Sequence, residues 1–154
     1  MFVISAIQAG RGAVARSVLM DLPEWFGKPA SVVDYVAEAE SLPMLGARAR
    51  SGDDFVGFLS LKTQSPITVE AYVLGVMRQY HRRGCGRALF EAAESRLRAL
   101  GCRYLTVKTI AASNPDPHYA ATRLFYEALG FEPIEVFPDL WDKHNPCLLL
   151  LKTL

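Results

Sequence analysis

The stretch that most constrains this chain is Glu70 to Gly101, EAYVLGVMRQYHRRGCGRALFEAAESRLRALG, because its hydrophobic period changes once and abruptly. Tyr72, Val73, Leu74, Val76 and Met77 form a short apolar run of β-favouring residues, which reads as a strand. From Ala88 the apolar residues Ala88, Leu89, Ala92, Ala93, Leu97 and Leu100 recur at helical spacing until Gly101, which reads as a helix and its stop. Glu94 and Arg98 stand four apart and are expected to pair on the wet face of that helix.

Strand and helix are joined by Gln79-Tyr80-His81-Arg82-Arg83-Gly84-Cys85-Gly86, with Arg78 and Arg87 flanking it. A glycine has no Cβ, so its amide can approach a ligand closely, and the first N–H groups of a helix have no partner inside it. Such a terminus attracts phosphate. The glycines alone would serve a plain helix start equally well; the four arginines favour the anion reading. The turn lacks the Gly-Lys-Ser/Thr of a P-loop and the third glycine of a dinucleotide fingerprint.

Val76, a short loop and His81-Arg82-Arg83-Gly84-Cys85-Gly86 together resemble the acyl-CoA pyrophosphate loop of the GNAT acetyltransferases, Gln/Arg-x-x-Gly-x-Gly/Ala. Thr122-Arg123-Leu124-Phe125-Tyr126-Glu127-Ala128-Leu129-Gly130-Phe131 is similar to that family's later signature, a helix that carries a tyrosine and closes at Gly-Phe. The resemblance spans about residues 50–137. His81 stands where the family prefers Gln or Arg, and Tyr119 where many members place an asparagine that bonds the pantetheine arm. The resemblance implies acetyl-CoA as cofactor. It would be held by Val76, Met77 and Arg78 at the strand end, by His81, Arg82, Arg83, Gly84, Cys85, Gly86, Arg87 and Ala88 around the turn, and by Tyr119.

At 154 residues the chain has the length of a single domain, 1–154, with room for a proper core. Half of it is apolar and the net charge is +1, a composition that fits a soluble globular protein and offers no field for nucleic acid; the arginine cluster is local. Cys85, Cys102 and Cys147 are odd in number and lack metal-ligand spacing, which suggests a reducing compartment and no metal site. The N-terminal MFVISAIQAGRG has neither a basic leader nor an apolar run near the ~18 residues needed to span a bilayer. A cytoplasmic protein with no membrane partner is the expectation.

In chain order, Phe2 to Ile7 reads as strand, Gly12 to Asp21 as helix, and Pro29 or Ser31 to Ala39 as a second helix with Val32, Val33, Tyr35 and Val36 inward. Leu42 to Arg50, Phe55 to Thr63 and Ile67 to Met77 read as antiparallel strands, followed by the helix already described and by strand Arg103 to Ile110. A helix from His118 to Leu129 puts Ala121, Leu124, Phe125 and Ala128 on one stripe with Tyr126 off it. Phe131 to Phe137 is a strand, Pro138 to Asn145 a loop, and Pro146 to Leu151 a buried strand. This order predicts an α+β sandwich of three layers: a mixed, mostly antiparallel sheet of about seven strands with helices on both faces. The family's two central strands splay where the glycine turn begins, and pantetheine lies in the gap.

Two residues carry the candidate chemistry. Counting by twos puts Glu70, Tyr72, Leu74 and Val76 on one face of the strand. The resemblance makes Glu70, six before Val76, the general base that takes a proton from a protonated amine, directly or through water; alternatively it is an idle exposed residue at a strand start. It likewise makes Tyr126 the acid that protonates the leaving thiolate, against the plainer reading of a tyrosine packed on a helix flank. The family transfers the acyl group directly in a ternary complex, so proximity would supply most of the rate. Cys85 has no evident base beside it and is not read as a nucleophile.

Trp25 and Phe26 lie between the first two helices, where they are either core filling or one wall of the acceptor cleft, and Trp141 could join that wall. Glu24, Asp139 and Asp142 could hold a cation. The acceptor implied is a small-molecule or peptide amine. The apolar C-terminal strand offers an edge through which a homodimer could form. Two rivals stay open: a sensor that binds acyl-CoA without turnover, and a phosphate or nucleotide module unrelated to acyl transfer.

Overall fold

The computed structural model describes residues 1–154. β1 (Val3–Ala6) leads into α1 (Arg11–Leu19) and α2 (Pro29–Ser41), and then come β2 (Met44–Arg48), β3 (Gly57–Ser65) and β4 (Thr68–Val76). α3 (Cys85–Ala99), β5 (Tyr104–Ile110), α4 (Pro117–Ala128), β6 (Glu132–Asp142) and β7 (Asn145–Thr153) complete the chain. The strands form one sheet in the order β1-β2-β3-β4-β5-β7-β6, antiparallel except where β4 meets β5. No helix is long and apolar enough to cross a membrane.

Each face of the sheet carries its own core. Ala15, Val18 and Leu19 of α1 and Val32 of α2 pack with Phe58 and Val73 on one face. Leu89, Phe90, Ala93 and Leu97 of α3 pack with Leu59, Leu105, Val107 and Leu150 on the other, and α4 adds Tyr126 and Leu129 there. This is the expected sandwich.

The strand that feeds the glycine turn is not regular. Ser60 pairs with Val73 but Leu61 pairs with Ala71, so Tyr72 is the extra residue of a bulge. Tyr72 joins Val73 on the α1/α2 face, while Ala71 and Val69 lie with Leu74 and Val76 on the α3/α4 face. Counting by twos therefore fails: one inserted residue reverses the alternation, and Glu70 shares the face of Tyr72 instead of that of Leu74 and Val76. Beyond this point β4 loses its other neighbour, since β4 and β5 pair only over Thr68–Glu70 and Tyr104–Thr106. The splayed half of β4 turns its free edge to the gap, which Tyr72, Val73, Leu74, Gly75 and Val76 line.

Further expectations are corrected. Glu94 is 4% exposed, not on the wet face, and its Oε1 lies 2.8 Å from Lys152 Nζ and 3.2 Å from Arg98 Nη2. A carboxylate can be buried there because the last strand brings it a cation. In α4 Leu124 is 66% exposed while Tyr126 is 8% exposed in the core; the helix packs through Thr122, Phe125, Tyr126 and Leu129, and hydropathy counted along one stripe misses a tyrosine whose ring is inside. Val33 and Leu100 also face solvent.

The proposed loop 138–145 is a hairpin instead, in which β6 runs to Asp142 and Asp142 pairs with Asn145. Asp142 Oδ1 accepts from His144 N–H at 2.9 Å and from Asn145 Nδ2 at 3.0 Å, which closes the turn. Pro138 is tolerated because β6 is an edge strand and its ladder is interrupted between Phe137 and Asp142. β7 then lies between β5 and β6, so the C-terminal strand offers no edge to a second copy.

Candidate active site

A cleft of about 1320 Å³ opens where β4 and β5 part. Its walls are β4, the turn into α3, the second half of β5, α4 from Pro117 to Tyr126, the α1–α2 connection with the start of α2, and the β6–β7 hairpin.

At one end of the cleft the α3 N-terminus is bare. Gly84 is the N-cap at φ 84°, a left-handed value that glycine adopts freely, and no side chain caps the helix. The first helical acceptor, Gly84 O, takes the N–H of Ala88 at 3.0 Å, which leaves the amides of Cys85, Gly86 and Arg87 without a partner. Arg82 is the single non-glycine residue at positive φ, 60°. Arg82 and Arg87 border the cleft and neither has a carboxylate beside it. Three free amides and two unpaired guanidinium groups suit a pyrophosphate. Gly86 sets how near the helix comes to α4, because a Cβ there would meet the Phe125 ring at 2.9 Å.

Glu70 is 4% exposed, yet it is among the residues that line the cleft. Gln64 Nε2 donates to its Oε1 at 2.9 Å, and Lys108 Nζ, reaching in from β5, lies 3.4 Å from its Oε2. The group is thus oriented from two sides. Tyr126 lies among Phe90, Phe125 and Phe131 with ring centroids 5.5–6.0 Å away. Its hydroxyl is in no hydrogen bond with the protein, and it is not sealed in, because Ser60 Oγ is the sole buried polar side-chain atom left without a partner. Burial pushes the phenol well above its usual pKa, so the proton stays on oxygen at neutral pH.

Trp25 links the two walls. Its indole N–H donates to Thr122 Oγ1 at 3.2 Å and to His118 O at 3.3 Å, and Tyr119 O–H donates to its carbonyl at 2.8 Å. The indole meets the His118 ring edge-on at 4.8 Å and the His81 ring at 5.7 Å. His81 Nε2 lies 2.6 Å from Val76 O; facing a carbonyl, that nitrogen carries the hydrogen and donates. Asp116 Oδ1 accepts from the backbone N–H of His118 at 2.8 Å and lies 3.1 Å from Nδ1 of its ring; the backbone bond is the main cause that holds this carboxyl below the usual range.

Of the residues singled out in the sequence, the cleft gathers Trp25, Phe26, Glu70, Val76, His81, Arg82, Gly84, Cys85, Gly86, Arg87, Tyr119, Tyr126 and Trp141. Met77, Arg78, Arg83 and Ala88 are not in its walls. Met77 packs under α1 and α2. Arg78 turns to the α1–α2 connection, where its Nη2 donates to Glu24 Oε2 at 2.6 Å and its amide to Asp21 Oδ2 at 2.7 Å. Arg83 is exposed, with its guanidinium 5.9 Å from the Tyr80 ring centre. Cys85 is 2% exposed and burial pushes its thiol up to about 11, a poor state for a nucleophile.

Sequence reasoning missed Tyr35, Tyr72, Lys108 and Thr122, all of which line the cleft. Tyr72 had no signal, because the bulge that sets its face is created by the β3 register and has no mark in the sequence. Lys108 could have been found by pairing the one lysine of β5 with the lone acid of β4.

A family model described as an acetyltransferase (GNAT) domain matches residues 35–133. Comparison with curated proteins finds no match. Among solved structures, a GNAT-family protein from Desulfovibrio desulfuricans superposes with a TM-score of 0.84 at 18% identity, covering 99% of each chain. A GNAT-family acetyltransferase from Elizabethkingia anophelis with acetyl-CoA bound superposes with a TM-score of 0.71 at 17% identity, covering 99% of this chain and 98% of its own. An aminoglycoside 6'-N-acetyltransferase complexed with coenzyme A gives 0.73 at 19%, covering 98% and 96%. The family match covers most of the chain, including the glycine turn and Tyr126, and the fold agrees over nearly its whole length: the chain belongs to the GNAT family of acetyltransferases.

Proposed function

We propose that the protein, with residues 1–154 acting as one domain, moves an acetyl group from acetyl-CoA to the primary amine of a small molecule or peptide by direct transfer in a ternary complex. The observation that carries this reading is that one cleft holds both the bare α3 N-terminus and two proton-handling groups, Glu70 and Tyr126. The two coenzyme-bound neighbours support the choice of cofactor. When bound, acetyl-CoA supplies the activated acetyl thioester.

The chain's own residues divide the rest of the work. The amides of Cys85, Gly86 and Arg87 with the side chains of Arg82 and Arg87 hold the pyrophosphate. An amine with a pKa near ~10 arrives protonated, and Glu70 takes the proton, directly or through a water in the gap. Tyr126 keeps its phenolic proton at neutral pH and presents the hydroxyl to the cleft, the condition a general acid must meet. Trp25, tied to α4, closes the acceptor side.

Thermal shift with acetyl-CoA, ATP and NAD side by side, followed by thiol release over an amine panel, tests the proposal. Acetyl-CoA at a hundred times its Kd should stabilise by about 2.7 kcal/mol. A shift with ATP or NAD alone removes the cofactor assignment; a shift with acetyl-CoA and no thiol release with any amine leaves a sensor.

A further inference from the structure

We infer that the acceptor end of the cleft takes a monoamine carried on an apolar or aromatic body, and not a polyamine or a zwitterion; this deepens the transfer reading above and rests on it. Three carboxylates line the cleft, Glu24, Glu70 and Asp142. Each already has a cation of the protein beside it. Arg78 Nη2 lies 2.6 Å from Glu24, Lys108 Nζ 3.4 Å from Glu70 and Lys28 Nζ 3.4 Å from Asp142.

The cations are equally committed. Of the lysines and arginines in the cleft wall, only Arg82 and Arg87 have no carboxylate, and both stand at the phosphate turn. A second ammonium on the acceptor would find no free carboxylate and would have to displace Arg78 from Glu24 or Lys28 from Asp142. The carboxylate of an amino acid would meet the same obstacle with the sign reversed.

The walls between these pairs are aromatic. Phe26 meets Tyr35 edge-on at 5.9 Å, Tyr35 meets Tyr72 at 6.0 Å, and Trp141 enters from the β6–β7 hairpin. Burial pushes the phenols of Tyr35 and Tyr72 up, with Glu38 adding to both, so the two rings stay neutral at any physiological pH. A concave, uncharged aromatic wall suits a flat or branched apolar body, and a single ammonium can rest against the rings until it reaches Glu70.

Calorimetry on the full chain with 2-phenylethylamine, spermidine and phenylalanine tests this. Phenylethylamine should bind at least tenfold more tightly than the other two, and Phe26→Ala or Tyr35→Ala should weaken it about tenfold. Lys28 is largely exposed, so Lys28→Ala should fold and, by freeing Asp142, should raise spermidine affinity several-fold with no gain for phenylethylamine. Equal or tighter binding of spermidine or phenylalanine to the wild type, or no binding of phenylethylamine at millimolar concentration, overturns the inference. Thiol release with the same amines separates the two readings. Phenylethylamine that binds but is never acetylated overturns the transfer reading and supports the pocket chemistry, whereas preferred acetylation of spermidine overturns the pocket chemistry alone.

Discussion

Gly86 at the start of α3 and Phe125 on α4 stand so close that any side chain on the glycine would enter the ring. The contact fixes the two helices that border the cofactor end of the cleft. Gly86→Val should cost about 1–3 kcal/mol by overpacking, measured by urea denaturation. Pairing it with Phe125→Leu should recover part of the loss, which a mere change in helix propensity would not allow.

Glu94 joins α3 to the last strand through Lys152. Glu94→Ala should destabilise the fold by about 1–3 kcal/mol, as expected for a charged hydrogen-bonding group lost from a buried position. Lys152→Met should cost less, because Arg98 remains with Glu94. A double-mutant cycle in denaturant reads the coupling, and a value near zero would show that the pair only fills space.

Tyr126→Phe keeps the ring and removes the hydroxyl. Under the proposed mechanism turnover should fall about 10²-fold with acetyl-CoA affinity unchanged. The stability effect has a definite sign. The phenol is raised in the folded state, so its contribution is complete below the usual tyrosine value near ~10 and is lost as pH rises beyond it. The difference in Tm between wild type and variant should be flat from pH 7 to about pH 9 and move against the wild type above that.

Cys85 should resist thiol reagents at pH 8 while Cys102, which is only partly buried, reacts. Because the Cys85 thiol is 2% exposed and pushed up to about 11, its labelling at pH 9 should remain far slower in the folded protein than in urea. Mass spectrometry of alkylated peptides distinguishes the two sites. Rapid labelling of Cys85 at neutral pH would mean that α3 opens from Gly57, against which the sulfur packs.

Much of this molecule is written in local patterns. The change of period at the glycine turn and the helix stop at Gly130 depend on near neighbours, and the elements up to α4 stand within a few residues of where those patterns put them, whereas the β6–β7 hairpin replaces an expected loop. What the patterns do not carry is pairing between distant segments. The buried side of Glu94 depends on Lys152, the commitment of Arg78 depends on Glu24, and the face shown by Glu70 depends on a bulge that only the β3 register creates. Helical periodicity puts Tyr126 on the wrong side of α4, because its burial depends on Phe90 and Phe131.

The short pairing of β4 with β5 has one more effect. Beyond Glu70 and Thr106 each strand has a rim of ladder groups with no neighbour in the sheet, so the protein possesses two strand edges at its centre besides those of β1 and β6. An edge at the outside of a sheet invites another chain to add to it. These inner edges look onto a gap flanked by α3, α4 and the α1–α2 connection, where an extended small molecule can enter and a folded neighbour cannot. The fold thus keeps open hydrogen-bonding capacity in its middle without the aggregation hazard that the same capacity would bring at its margin.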